Sequence, residues 1–109
     1  MGTITYDGAV IEFDDRMLAH LQIVIMQQVR RRESFAMSWK DAIKVGDGRS
    51  SIWLHPDCNL YFKFVGSKVP AINPDWLHTL TESARGSSGL IVTQEDGELA
   101  RSEGTNRKW

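Results

Sequence analysis

Residues 44–49, KVGDGR, come nearest to a chemical motif in this chain. In the pattern Lys-x-Asp-Gly-x-Arg, the lysine accepts a nucleotidyl group while the aspartate and arginine hold the ribose and phosphates. Here Gly46 adds a residue before the Asp-Gly pair, and Arg49 follows Gly48 without the intervening residue. A Gly-Asp-Gly turn between two strands accounts for the same letters. We therefore predict no nucleotidyl transfer at Lys44.

Other catalytic and metal-binding patterns are missing from the sequence. His20, His55 and His78 fall on three separate predicted elements, and no pair of them has the spacing of metal ligands. The single cysteine, Cys58, cannot form an internal disulfide. The sequence predicts no catalytic residue, no metal and no cofactor, and it favours a non-enzymatic protein.

The composition of the 109 residues is that of one globular domain. Apolar residues make up 41% and charged residues 25%, and the net charge of -1 is unlike that of proteins that coat nucleic acid. The start, MGTITYDG, is not a signal peptide, and the longest apolar stretch, residues 21–26, is too short to span a bilayer. We expect a cytoplasmic protein with no membrane partner.

Alternation and helical spacing divide the chain into eight elements. An Asp7-Gly8 hairpin signal joins the first two strands, and Asp14 is placed to cap the first helix. Asn73 and Pro74 mark the start of the second helix. The predicted strands are residues 3–6, 10–13, 35–39, 51–55, 60–64 and 90–93, and the predicted helices run from 15 to about 32 and from 75 to about 85.

These elements predict an α+β fold in the order ββαβββαβ. The simplest architecture is one mainly antiparallel sheet with both helices packed on its apolar face. Residues 1–96 form the predicted domain, and residues 97–109 form a polar tail without a pattern, which we expect to be flexible.

The sheet face opposite the helices is the predicted binding surface. By alternation it carries two aromatic side chains with basic neighbours, namely Trp53, His55, Tyr61 and Lys63, with Lys40 and Arg49 at its margin. Such a face is typical of a protein interface, of a stacking platform for single-stranded nucleic acid, or of a sheet whose aromatic pairs only stabilise it. Ile23 and Met26 lie off the apolar stripe of the first helix, and a dimer contact is one interpretation of them.

Three segments together carry a family resemblance. They are FDDRMLAHLQIVIMQQVRRRESFAMSW, GRSSIWLHPDCNLYFKF and NPDWLHTL, with the shared features Asp14-Asp15-Arg16, Arg31-Arg32-Glu33-Ser34-Phe35 and Trp53-Leu54-His55-Pro56. Over roughly residues 1–95 the chain resembles a family of small, uncharacterised actinobacterial proteins of about this length. Its members often carry the automatic name "ATP-dependent DNA ligase", and the resemblance implies that label here. It implies no catalytic residue and no cofactor.

The leading interpretation is a binding or interaction module that uses the aromatic-basic face, with a protein partner or a second copy of the chain as its ligand. The alternative is a protein of DNA metabolism, as the ligase label implies, with single-stranded nucleic acid as the ligand. Ligase chemistry itself is disfavoured, because residues 44–49 do not fit the motif and 109 residues are too few for a nucleotidyltransferase core and its second domain.

Overall fold

The α+β fold class is confirmed by a computed structural model that describes residues 2–44, 46 and 48–107. The predicted order ββαβββαβ is present, and a further strand follows it. The elements in the described part of the chain are β1 (Gly2–Tyr6), β2 (Ala9–Phe13), α1 (Asp15–Arg30), β3 (Phe35–Lys40), β4 (Arg49–Leu54), β5 (Leu60–Lys63), α2 (Pro74–Arg85), β6 (Leu90–Ile91) and β7 (Gly104–Arg107).

The turn and helix-cap residues predicted from the sequence occupy those positions in the structure. Asp7 and Gly8 have φ values of 48° and 86°, the left-handed conformation that a two-residue hairpin between β1 and β2 requires. The Asp14 carboxylate caps α1 by accepting the Met17 N–H at 2.8 Å. The Asn73 side chain caps α2 in the same way. Neither helix in the described ranges has the length and apolar character needed to cross a membrane.

The strands are distributed over two sheets, where the sequence predicted one. The first sheet has the order β5-β1-β2-β7, and the second sheet has the order β4-β3-β6. Strand β5 does not continue the hairpin of β3 and β4; it pairs with β1, which sets Tyr61 opposite Thr5. Strand β6 runs parallel to β3, with Leu90 opposite Met37. Alternation identifies a strand and its buried face, but it carries no information about which strand lies beside it.

Both sheets and both helices share one core. The apolar residues of the strands and helices line it: Phe35, Met37 and Trp39 of β3 are buried, and Leu18, Leu21 and Ile25 of α1 have no exposed surface. Helix α1 packs on β1 and on α2, while α2 packs on β3 and β6. The sides of the two sheets that face away from this core are therefore available to contact a ligand.

Residues 97–107 differ from the predicted flexible tail. Ala100 and Ser102 are buried, and they bond to the backbone of Lys40 in the second sheet. Residues Gly104–Arg107 then form β7 against β2 at the edge of the first sheet. An edge strand tolerates polar residues, so its sequence lacks the apolar alternation by which the other strands are recognised. The last part of the predicted tail, residues 108–109, lies outside the described residues.

Candidate binding surface on the second sheet

The outer face of the second sheet is formed by alternate residues of β3 and β4. The register sets Ala36 opposite Trp53, Ser38 opposite Ser51 and Lys40 opposite Arg49. The hydroxyl oxygens of the central serine pair lie 2.8 Å apart and share a hydrogen bond. We use the name outer face for these six residues: Ala36, Ser38, Lys40, Arg49, Ser51 and Trp53.

Trp53 is the prominent side chain at one end of the outer face. It is 60% exposed although it stands on a regular strand. Its cross-strand neighbour, Ala36, is too small to cover the indole. A cleft of about 340 Å³ opens beside it. The cleft is lined by Trp53 and Ala36 together with Arg31, Glu33 and Arg85, among others.

The opposite end of the outer face is also cationic. Lys40 and Arg49 line a second cleft of about 340 Å³, whose other walls include Ile91 and the 41% exposed Leu99. Within the described ranges, the ion pairs are Arg16–Glu95, Arg32–Asp57 and His78–Glu82. They include none of the four cations that border the outer face, namely Arg31, Lys40, Arg49 and Arg85.

Lys40 shows which way the backbone groups of the second sheet point. Its N–H donates to the C=O of Ala100 at 2.9 Å, and its C=O accepts from the N–H of Ser102 at 2.8 Å. Both bonds lie on the side of β3 away from β4, so Lys40 and the opposite Arg49 are not bonded through their backbones. Bonded and non-bonded pairs alternate in an antiparallel ladder. The β4 residues whose N–H and C=O point away from β3, along the free edge of the sheet, are therefore Arg49, Ser51 and Trp53.

Tyr6 closes one end of that edge. Its hydroxyl donates to the C=O of Trp53 at 2.6 Å, and its ring meets the ring of His55 edge-on at 6.3 Å. Burial raises the pKa of Tyr6, and Cys58 and Asp7 raise that pKa further. The hydroxyl thus stays protonated and remains a donor across the neutral range. This role could not be predicted from the sequence, because it depends on two strands that meet only in the fold.

The six predicted site residues are divided between different parts of the molecule. Trp53, Lys40 and Arg49 lie on the outer face as defined above. Tyr61 and Lys63 lie on β5 in the first sheet, opposite Thr5 and Thr3. His55 follows β4 in the loop that leads to β5. Trp53 and Tyr61 therefore do not form one two-ring platform on a single sheet. Arg31 and Arg85, which extend the cationic border, were not among the predicted residues.

Ile23 and Met26 lie on an exposed flank of α1. Met26 is 48% exposed and Ile23 is half-buried. One turn earlier on the same flank, Ala19 and Gln22 border a small cleft of about 170 Å³ with Phe64 and others. This placement is compatible with a dimer contact, which stays a prediction.

A buried histidine joins the two helices on the far side of the core. His20 has no exposed surface, and its ring lies 4.2 Å from that of Trp76. The Nε2 atom accepts the Asn73 N–H at 3.0 Å, so the proton is on Nδ1, which donates to the C=O of Arg16 at 2.7 Å. His20 thus positions the start of α2 against α1 and has a structural role.

The described residues of the motif-like stretch 44–49 lie in the loop between β3 and β4 and at the start of β4. The N–H of Asp41 donates to Gly48 C=O at 2.9 Å, and Ser50 Oγ donates to the Asp41 carboxylate at 2.6 Å, which closes the loop between β3 and β4. Val45 and Asp47 lie outside the described residues, so part of the predicted turn does too. Over the ranges that the structure covers, no group of three or more His, Cys, Asp or Glu could hold a metal ion.

The fold and this surface define a small two-sheet α+β domain with an exposed tryptophan between two cationic borders. The chain belongs to the family described as Domain of unknown function (DUF7882), whose model matches residues 1–95. The expected membership of a family without an assigned activity is thereby confirmed. No curated protein matched the chain, and no solved structure matched it. The matched range includes the whole outer face and ends before β7.

Proposed function

We propose that this domain is a non-enzymatic binding module that docks a protein partner on the outer face of the second sheet. The observation that carries the proposal is the 60% exposure of Trp53 on a regular strand between cationic borders. Tryptophan and arginine are the side chains that most often contribute large shares of binding energy at protein interfaces. A partner that covers Trp53 gains that burial without reorganising the strand.

The size of the expected contribution makes Trp53 an anchor. Fully burying a large apolar side chain is worth about 1.5–3 kcal/mol. The indole is held on β4, whose neighbour β3 lies at the centre of the second sheet, so little backbone freedom is lost on binding. The surrounding cations would orient the partner and speed its association more than they would tighten it.

The proposal is tested by photo-crosslinking from matched positions on the two sheets. Trp53 and Tyr61 are 60% and 61% exposed, and each stands on an edge strand. Each is replaced in turn by a photoreactive phenylalanine in cells. We expect a discrete protein adduct from position 53 and none from position 61. The adduct is identified, and its protein is purified for titration against the wild type, Trp53→Ala and Tyr61→Ala.

The expected result is an affinity loss of about tenfold or more for Trp53→Ala, which corresponds to about 1.4 kcal/mol, and little change for Tyr61→Ala. Equal adducts from both positions, or a partner whose affinity is unaffected by Trp53→Ala, would contradict the proposal. Both variants change exposed side chains, so their folding is compared by thermal unfolding before any binding is measured.

Single-stranded nucleic acid is the second candidate ligand, as a role in DNA metabolism would imply. The observation that favours it is the position of an exposed indole between Lys40 and Arg49 on one side and Arg31 and Arg85 on the other. The test is a titration with oligo(dT) and nicked duplex at two salt concentrations, followed by tryptophan fluorescence. Saturable quenching that weakens with salt and is lost in Trp53→Phe would support this candidate.

A further inference from the structure

We infer that β4 accepts an acidic, extended segment of the partner as an added strand of the second sheet. The inference rests on the proposed function, because it specifies how the partner would dock and what chemistry its binding segment would have. It also names a second docking element, the backbone edge, which is independent of the Trp53 side chain.

The first argument is the supply of unpaired backbone groups. Strand β4 is an edge of the second sheet, and Arg49, Ser51 and Trp53 point their N–H and C=O groups away from β3. The Trp53 C=O is taken by Tyr6, and the other five groups of these residues have no hydrogen bond within the described part of the chain. An extended peptide pairs with alternating donors and acceptors of this kind when it adds to a sheet edge.

The second argument is that β4 lacks the usual protection of an edge. Natural edges are commonly guarded by proline, by several charges, by a bulge or by a covering element. Residues Arg49–Leu54 contain no proline and one charge, and the six residues pair with β3 in unbroken register. The Tyr6 hydroxyl protects this edge only at Trp53, where it bonds to the backbone C=O. An added strand would therefore pair with the edge from Arg49 to the N–H of Trp53.

The third argument is charge. Side chains of an added strand alternate between the two faces of the sheet, so every second one lies on the outer face beside β4. At one end such a side chain would meet Arg49 and Lys40, and towards the other end it would lie beside Trp53, whose cleft is also lined by Arg31 and Arg85. Acidic residues at alternate positions would complement these cations, and among the described residues Glu33 is the one acid that lines either cleft. Nucleic acid fits the edge less well, because the outward carbonyls of Arg49 and Ser51 would face its phosphates.

The probe is an octapeptide of alternating glutamate and valine with blocked ends, titrated into the full chain. An octapeptide of alternating lysine and valine is its matched control. We expect saturable binding of the acidic peptide, at least tenfold weaker binding of the basic one, and exchange of that preference in the double variant Lys40→Glu/Arg49→Glu. Failure of the acidic peptide to bind, or binding of both peptides with equal affinity, would overturn the inference.

Strand addition is separated from simple charge attraction by methylating the peptide backbone. One peptide carries N-methyl groups on every glutamate and the other on every valine. In an added strand one of these sets faces β4 and the other faces solvent. We therefore expect one methylated peptide to lose at least tenfold in affinity and the other to change by less than about threefold. Equal effects of the two methylations would overturn strand addition.

A matched substitution tests the same edge from the protein side. Ser51→Pro removes an N–H that faces away from β3, so the ladder to β3 keeps its bonds, as edge prolines normally allow. Ser51→Ala removes the hydroxyl bond to Ser38 alone and is the control. We expect Ser51→Pro to abolish peptide binding and Ser51→Ala to retain it. If Ser51→Pro does not fold, the methylated peptides decide the outcome with the wild-type protein.

The outcomes distinguish this inference from the proposed function. A crosslinked partner that depends on Trp53 but competes with neither peptide would overturn strand addition and leave the binding module standing. Binding of oligo(dT), unchanged by Ser51→Pro and without binding of the acidic peptide, would overturn the inference in favour of the nucleic-acid candidate.

Discussion

The hydroxyl of Tyr6 donates to the backbone C=O of Trp53 at 2.6 Å, across 47 residues of sequence. This bond connects β1 in the first sheet to the edge of the second sheet. It also satisfies the C=O of Trp53, which points away from β3 and belongs to the residue with the exposed indole. The same contact therefore holds the two sheets together and marks where the free edge ends.

We expect Tyr6→Phe to destabilise the fold by about 0.5–1.5 kcal/mol, the usual net value of one hydrogen bond. The aromatic ring and its contact with His55 are kept, so the loss reports the hydroxyl alone. The measurement is urea unfolding. Tyr61→Phe is the matched control, because the Tyr61 hydroxyl has no hydrogen bond within the described ranges, and it should change stability little. Equal stability of the two variants would contradict the role given to Tyr6.

We expect His20→Leu to lower the free energy of unfolding by about 1–3 kcal/mol. The substitution leaves the part-buried N–H of Asn73 without its acceptor, which costs about 1–3 kcal/mol, whereas the C=O of Arg16 keeps its bond within α1. His78→Leu changes an exposed histidine of α2 and serves as the control. A loss below about 0.5 kcal/mol for His20→Leu would show that these bonds are unimportant.

Acid should weaken the fold through Glu95 and Asp15. Arg16 and then Asn73 hold the pKa of Glu95 below its ordinary 4.5, and the N–H groups of Gly66 and Val65 hold that of Asp15 below 3.8. Folded-state pKa values below the unfolded ones give stability that is present above about pH 4.5 and is lost as pH falls through the folded values.

The measurement is the melting temperature as a function of pH for the wild type and for Glu95→Gln. The variant should have the lower melting temperature at pH 7 and a smaller drop below pH 4.5. Glu98→Gln is the control, because the Glu98 side chain has no hydrogen bond in the described part of the chain, and its profile should follow the wild type. Parallel profiles for wild type and Glu95→Gln would contradict the prediction.

Gly89→Ala should be more destabilising than Gly97→Ala. Both glycines are left-handed, with φ values of 78° and 91°, so each alanine meets a backbone penalty of roughly 1–2 kcal/mol. A Cβ on Gly89 would also lie 2.5 Å from the carbonyl oxygen of Ala36, whereas one on Gly97 meets nothing within 4 Å. Chemical denaturation of the two variants compares them, and equal losses would contradict the close approach of Gly89 to β3.

The elements of this fold can be predicted from sequence where the signal is local. Asp14 and Asn73 mark both helix starts, because a cap acts within three residues of itself. The Asp7-Gly8 turn likewise predicts the β1–β2 hairpin. Alternation predicts that Trp53 faces outward, since β3 and β4 have one covered face.

The partition into two sheets could not be predicted in this way. Five residues separate β4 from β5, a spacing that suits a hairpin, yet β5 pairs with β1. Strand β7 carries no apolar alternation, and its pairing with β2 depends on contacts distant in sequence. Consequently the two exposed aromatic residues, Trp53 and Tyr61, were expected on one face and lie on different sheets. The hydrogen bond from Tyr6 to Trp53, which ends the free edge, could not be predicted for the same reason.

The most direct test of the outer face as the binding surface is an amide NMR spectrum of the domain recorded with and without the crosslinked partner. We predict that the perturbed signals concentrate on Ala36, Ser38, Ser51 and the backbone and indole N–H of Trp53. The amide signals of Thr5 and Tyr61, on the solvent-facing side of the first sheet, should be unchanged. Perturbation centred on Thr5 and Tyr61, with the Trp53 indole unaffected, would contradict the account.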